Sequence, residues 1–112
     1  MVAAKTDQFD KELQKKANLF KVLSHPARLQ ILRFLAQTRK CLTGDISENF
    51  PLTRASVNQH MKELKNAGLV YGHMESAKIV YCLDLEKIKE LEEVLGGFLE
   101  EMHLHADFCC SL

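Results

Sequence analysis

The chain has 112 residues, 46% of them hydrophobic and 27% charged, which is room for one domain around one core. Fifteen basic and fifteen acidic side chains cancel, so composition does not favour a nucleic-acid binder and any basic face has to be local. No apolar run reaches the roughly 20 residues that span a bilayer and no hydrophobic leader opens the chain, so it is expected in the cytoplasm, where four cysteines (Cys41, Cys82, Cys109, Cys110) mean metal or redox chemistry before disulfides.

From Phe9 the apolar residues Phe9, Leu13, Ala17, Phe20 and Leu23 fall in three- and four-residue steps and predict a first amphipathic helix. SHPARLQILRFLAQ predicts a second, capped by Ser24 or His25, with Pro26 in the first turn and Leu29, Leu32 and Leu35 as the buried stripe, ending near Thr38. In KCLTGDISENF, Thr43 is the expected N-cap of a short helix carrying Ile46 and Phe50, which Pro51 stops. LTRASVNQHMKELKNAGLV then places Val57, Met61 and Leu64 on one face of a fourth helix, with Thr53 as N-cap and Gly68 as the left-handed residue that ends it. VYGHMESAKIVYCLD reads as a β-hairpin turning at Glu75, Ser76 and Ala77. Asp84 caps a last helix of about 20 residues, with Leu85, Ile88, Leu91, Leu95, Phe98, Leu99 and Met102 at helical spacing. The fold class is therefore mainly α with a β-hairpin wing, a single winged helix-turn-helix domain over residues 1–112.

With Val57, Met61 and Leu64 inside, geometry turns Arg54, Ala55, Asn58, Gln59 and Lys62 outward. Arg54 can bond guanine O6 and N7, Asn58 or Gln59 can bond adenine N6 and N7, and Ala55 can approach a thymine methyl. Thr53, Ser56 and the free N–H groups of the helix start suit phosphates. The other reading of such a face is plain solvation. Between Pro51 and Tyr81, Arg54, Lys62, Lys65 and Lys78 outnumber Glu63 and Glu75, and His60 and His73 can add to that surplus.

LSHPARLQILRFL, TRASVNQHMKELKNAGLV and the hairpin ending VYCLD together resemble the ArsR/SmtB family of metal-sensing repressors, over roughly Phe20 to Asp84. The resemblance implies that the helix starting near Thr53 is a recognition helix and the hairpin a wing. It also implies a homodimer through the first and last helices, bound to double-stranded operator DNA. Arg54, Ala55, Ser56, Asn58 and Gln59 fall where the family reads bases and backbone. His60 occupies the family's common histidine, and its place beside Val57 and Met61 leaves a packed role open next to a DNA contact. The wing departs from the pattern: its tip is Glu75, Ser76 and Ala77, and its basic residue, Lys78, comes only afterwards.

A specific operator normally takes two half-sites about one helical turn apart. Phe9, Leu13, Phe20, Leu91, Leu95, Phe98 and Met102 exceed the needs of a small core and offer a dimer face. Gly96 and Gly97, mid-helix, suggest close backbone approach, a bend or simple tolerance.

For an inducer, the resemblance implies two places. One is a cysteine pair before the recognition helix, of which Cys41 is present while Thr43 stands at the second position; the other is a carboxylate and histidine set on the last helix, matched by Glu90, Glu92 and His103 but ending at Ala106. The adjacent Cys109 and Cys110 can present two thiolates to one thiophilic ion, and As(III) or Sb(III), which takes three, would be completed by Cys41. Three alternatives stay open: a zinc or cadmium site of His103, His105, Cys109 and Cys110; oxidation or persulfide bridging of Cys41 with Cys109 or Cys110; and an inert tail. Cys82 reads as packed. Without a nucleophile triad, phosphate loop, H-E-x-x-H or C-x-x-C, enzymatic activity is not expected. A winged helix that binds protein rather than DNA fits the neutral charge as a further class.

Overall fold

The structure, a computed structural model, describes residues 7–106. Its elements run α1 (Lys11–Leu23), α2 (Pro26–Thr38), α3 (Thr43–Asn49), α4 (Arg54–Asn66), β1 (Val70–Glu75), β2 (Lys78–Leu83) and α5 (Leu85–Ala106). Among the described residues no helix is long and apolar enough to cross a membrane.

Local chemistry sets most of the boundaries. The Asp10 carboxylate accepts from the Glu12 N–H at 2.9 Å, so α1 begins at Lys11 and Phe9 stays outside it. At the next helix the cap is His25 rather than Ser24: its Nδ1 accepts from the Ala27 N–H at 3.0 Å, and Pro26 follows where no N–H is needed. Thr43 is not the cap of α3. Leu42 takes that place because Asp45, three residues on, accepts from the Leu42 N–H at 2.8 Å, and Thr43 becomes the first helical residue with its hydroxyl free to act elsewhere. Thr53 does cap α4, its Oγ1 accepting from the Ser56 N–H at 3.1 Å. The far end of α4 is a Schellman closure: Gly68 has φ 80°, its N–H reaches Lys65 O at 2.9 Å, and the Leu69 N–H reaches Leu64 O at 3.0 Å. Asp84 caps α5 through the Lys87 N–H at 3.2 Å.

The two strands pair antiparallel from Val70 opposite Leu83 to Glu75 opposite Lys78. Ser76 and Ala77 link them with φ 49° and 64°, the two left-handed residues of a type I′ turn, whose twist matches that of the flanking strands. A third, one-residue strand joins the sheet: Cys41 N–H donates to Tyr81 O at 3.1 Å and Tyr81 N–H donates to Cys41 O at 2.9 Å. The connector between α2 and α3 is thereby tied to the wing.

Ile31, Leu35, Ile46, Val57, Met61, Leu64 and Leu69 are completely enclosed, joined by Cys41, Val70 and Leu91 in one core. Two expectations are corrected. Leu29 is 53% exposed, because it lies about 200° round the helix from Ile31, and the buried stripe of α2 is Ala27, Ile31 and Leu35 with Leu32 half-buried. Leu91 belongs to the intrachain core, with Leu95 packed against it, so the spare apolar surface is smaller than the sequence suggests. Phe9, Leu13, Leu99 and Met102 remain exposed, and Phe20 meets Phe98 with ring centroids 5.7 Å apart where α1 crosses α5. Phe9, Leu13, Ala17, Phe20 and Phe98 line an apolar groove of about 300 Å³ there. A Cβ added at Gly96 or Gly97 would meet nothing within 4 Å, so the close approach considered for them is not made among the described residues.

Candidate nucleic-acid interface

α4 shows the division that its sequence spacing predicts. Val57, Met61 and Leu64 are enclosed, while Thr53, Arg54, Ala55, Asn58, Gln59 and Lys62 are exposed and Ser56 is half-buried. The short α3 packs against α4 after the break at Pro51, giving the paired helices of a helix-turn-helix. Thr53 spends its hydroxyl oxygen on the cap, which leaves its O–H to donate and makes Ser56 N–H one helix-start donor already satisfied.

Neighbours define three of the exposed side chains. The Arg54 guanidinium rests over Gly44, so close that a Cβ built there would stand 2.7 Å from Nη2. Thr43 Oγ1 donates to Asn58 Oδ1 at 3.0 Å. Gln59 Nε2 donates to Glu63 Oε1 one turn along at 3.3 Å. Arg54 and Asn58 meet Lys78, the first residue of β2, around a groove of about 500 Å³ between α3, α4 and the wing. Asp45 and Glu48 of α3 line the same groove, so the surface there is of mixed charge. At the wing tip Glu75 pairs with Lys40 at 3.4 Å and lies 3.3 Å from His73 Nε2, while Lys78 lines the groove beside α4.

His60 turns toward α2 rather than outward. Its Nδ1 accepts from Arg28 Nε at 3.3 Å, Arg28 also donates to Val22 O at 3.2 Å, and the His60 ring lies 4.4 Å from that of His25. Burial lowers the His60 pKa from its ordinary 6.5, His25 and Arg28 lower it further, and Glu63 acts weakly the other way. A neutral ring with Nδ1 as acceptor is the form that this network requires.

Of the thiols, Cys41 is 4% exposed, and burial, then Asp45 and Cys82, push it up to about 11. It is a protonated thiol at neutral pH. Cys82 is half-buried on β2 beside Tyr81. His103 is exposed near the end of α5. Cys109 and Cys110 lie outside the described residues, and so does the side chain of His105. Among the described residues no three His, Cys, Asp or Glu side chains gather to hold a metal ion.

Sequence reasoning missed two things here, the hydroxyl of Thr43 on Asn58 and the seat that Gly44 gives Arg54. The available signal was Asp45 at the third position of α3, which takes over the capping of Leu42 and releases Thr43.

The sequence pattern of bacterial regulatory proteins of the arsR family matches residues 25–71. The transcriptional repressor SdpR of Bacillus subtilis is 32% identical over 84 residues, covering 75% of this chain and 92% of that protein. The crystal structure of a possible transcriptional regulator for arsenical resistance aligns with TM-score 0.66 and 26% identity over 78% of this chain and 92% of that one. Reduced HlyU from Vibrio cholerae aligns with TM-score 0.62 and 27% identity over 89% and 95% of the two chains.

Proposed function

The chain belongs to the arsR family of DNA-binding transcription regulators, and on that premise we propose that it is a cytoplasmic homodimeric repressor whose operator binding is relieved when a thiophilic inducer captures its cysteines. The observation that carries the DNA-binding half is the outward face of α4, with Arg54, Asn58 and Lys78 around one groove and Thr53, Ala55, Ser56, Gln59 and Lys62 along the same helix. Arg54, Asn58, Gln59 and Ala55 read base edges, while Thr53, Ser56, Lys62 and Lys78 hold phosphates. Two copies joined across α1 and α5 bring two such faces to successive major grooves. The exposed Phe9, Leu13, Leu99 and Met102 and the open space over Gly96 and Gly97 support that joint.

The inducer of this reading is As(III) or Sb(III), taken by Cys41, Cys109 and Cys110 from one or both subunits. Three thiols replace the three hydroxides of the trivalent acid, each giving its proton to a departing water. Cys41 is a proton-holding thiol on a connector bonded through its backbone to Tyr81, so in this reading capture there is passed on to α3 and the wing. Likeness to a protein whose structure is described as reduced favours a second reading, in which Cys41 and a tail cysteine give up two electrons and two protons to an oxidant and form a bridge.

The test is fluorescence anisotropy of the reduced full chain on a duplex enriched from a random library, titrated with arsenite, antimonite, zinc, cadmium and peroxide. Release by arsenite that is lost in Cys41→Ser and in Cys109→Ser/Cys110→Ser, with three sulfur neighbours by X-ray absorption, is the expected result. Release by arsenite that the tail double variant leaves unchanged overturns the three-thiol site. Release by peroxide alone selects the second reading, and release by zinc or cadmium with mixed nitrogen and sulfur ligands selects His103 and His105 with the tail cysteines.

A further inference from the structure

Asn58 and Arg54 are the side chains of α4 best suited to bidentate base reading, and each is shaped by the first turn of α3. A free asparagine amide at a helix surface can turn either end toward a base, presenting an acceptor or a donor. Here Thr43 Oγ1 donates to Asn58 Oδ1 at 3.0 Å. Because the amide is planar and the hydroxyl can pair with either of its ends, that bond fixes the plane of the amide and leaves one end turned away from α3. Threonine is also stiff about χ1, so the hydroxyl is a fixed reference point. One residue on, Gly44 lies under Arg54: an added Cβ would stand 2.7 Å from Nη2 and 3.3 Å from Cζ. Gly44 sits inside the helix Thr43–Asn49, where alanine is conformationally welcome, and a methyl there would displace the flexible end of the Arg54 side chain from its seat.

We propose that the first turn of α3 is a template for base reading, in which Thr43 is a positioning residue that fixes the plane and reach of the Asn58 amide, and Gly44 keeps open the seat of the Arg54 guanidinium. This rests on the reading of α4 as a recognition helix and assigns specificity to a helix that touches no base. Asn58 accordingly meets a base edge with the end of its amide that Thr43 does not hold. Neither Thr43 nor Gly44 contributes to phosphate binding, so neither alters the salt dependence of affinity.

The experiment uses the reduced full chain, a duplex enriched by the wild-type protein from a random library, and all single-base-pair variants of that duplex. Asn58→Ala and Arg54→Ala first identify the base pair that each side chain reads. Thr43→Val, which keeps the shape and removes the hydroxyl, is expected to reduce discrimination at the Asn58 base pair by about 3-fold to 10-fold, the worth of one hydrogen bond. It leaves the salt slope and thermal midpoint unchanged, Thr43→Ser restores discrimination, and in combination with Asn58→Ala it adds nothing. Gly44→Ala is expected to weaken discrimination at the Arg54 base pair while the thermal midpoint holds or rises. If the two alanine variants change discrimination nowhere, the recognition-helix reading fails and the proposal with it. If they do change it and Thr43→Val does not, or adds independently to Asn58→Ala, α4 still reads bases and the proposal is overturned.

Discussion

Cys41 offers a direct chemical probe of the connector between α2 and α3. The residue is 4% exposed and its thiol is pushed up to about 11 from an ordinary 9.0, chiefly by burial and then by Asp45 and Cys82. At about pH 8 a thiol at the ordinary value is roughly one-tenth thiolate, whereas Cys41 is about one-thousandth. Since only the thiolate attacks iodoacetamide, charge alone lowers its alkylation rate about 100-fold relative to the unfolded chain, before any steric shielding. The assay is time-resolved alkylation of the reduced full chain, native and in denaturant, with the Cys41 and Cys82 peptides quantified by mass spectrometry. Half-buried Cys82 provides the internal comparison. A native rate at Cys41 within about tenfold of its denatured rate would refute the reasoning, because neither the burial nor the proton could then be as described. The same shift has a sign in stability. Between pH 9.0 and about 11 the folded chain holds the proton that the unfolded chain has released, so this contribution is complete below 9.0 and is lost as the pH rises through about 11.

Two further outcomes are expected. Replacing Ser76 by Asn and Ala77 by Gly supplies residues that accept positive φ at both turn positions, and should stabilise the protein by about 1 kcal/mol, raising Tm by about 4 °C in calorimetry; a fall in Tm would mean that the turn is not type I′. His60, held neutral by burial, His25 and Arg28, contributes stability that is present above its ordinary 6.5 and lost as the pH falls through the lowered folded value. Denaturant midpoints between about pH 7.5 and about pH 5.5 should therefore decline more in the wild type than in His60→Gln, and equal slopes would dismiss the histidine pair as the cause.

The order of the elements was readable because each boundary carries its own chemistry. Thr53, Gly68, Asp84 and Pro26 act on backbone groups within a few residues, and the spacing of Val57, Met61 and Leu64 fixes which side of α4 is outside. What depends on contacts between distant residues was less legible. Leu29 fits a helical stripe on hydrophobicity but faces water, because the partner elements meet α2 along Ala27, Ile31 and Leu35. Leu91 fits an intermolecular face equally well until the core claims it. At the candidate site the reading side chains could be named from α4 alone. The hydrogen bond from Thr43 to Asn58 spans 15 positions, and that from Arg28 to His60 spans 32; no local periodicity encodes such pairs.

The bridge between Cys41 and Tyr81 is one residue wide, so no adjoining rung holds it closed when it lets go. Any ligand that binds only the released form would draw the population toward it by as much as its preference for that state. How seldom those two backbone hydrogen bonds open on their own is a quantity that amide exchange at Tyr81 reads.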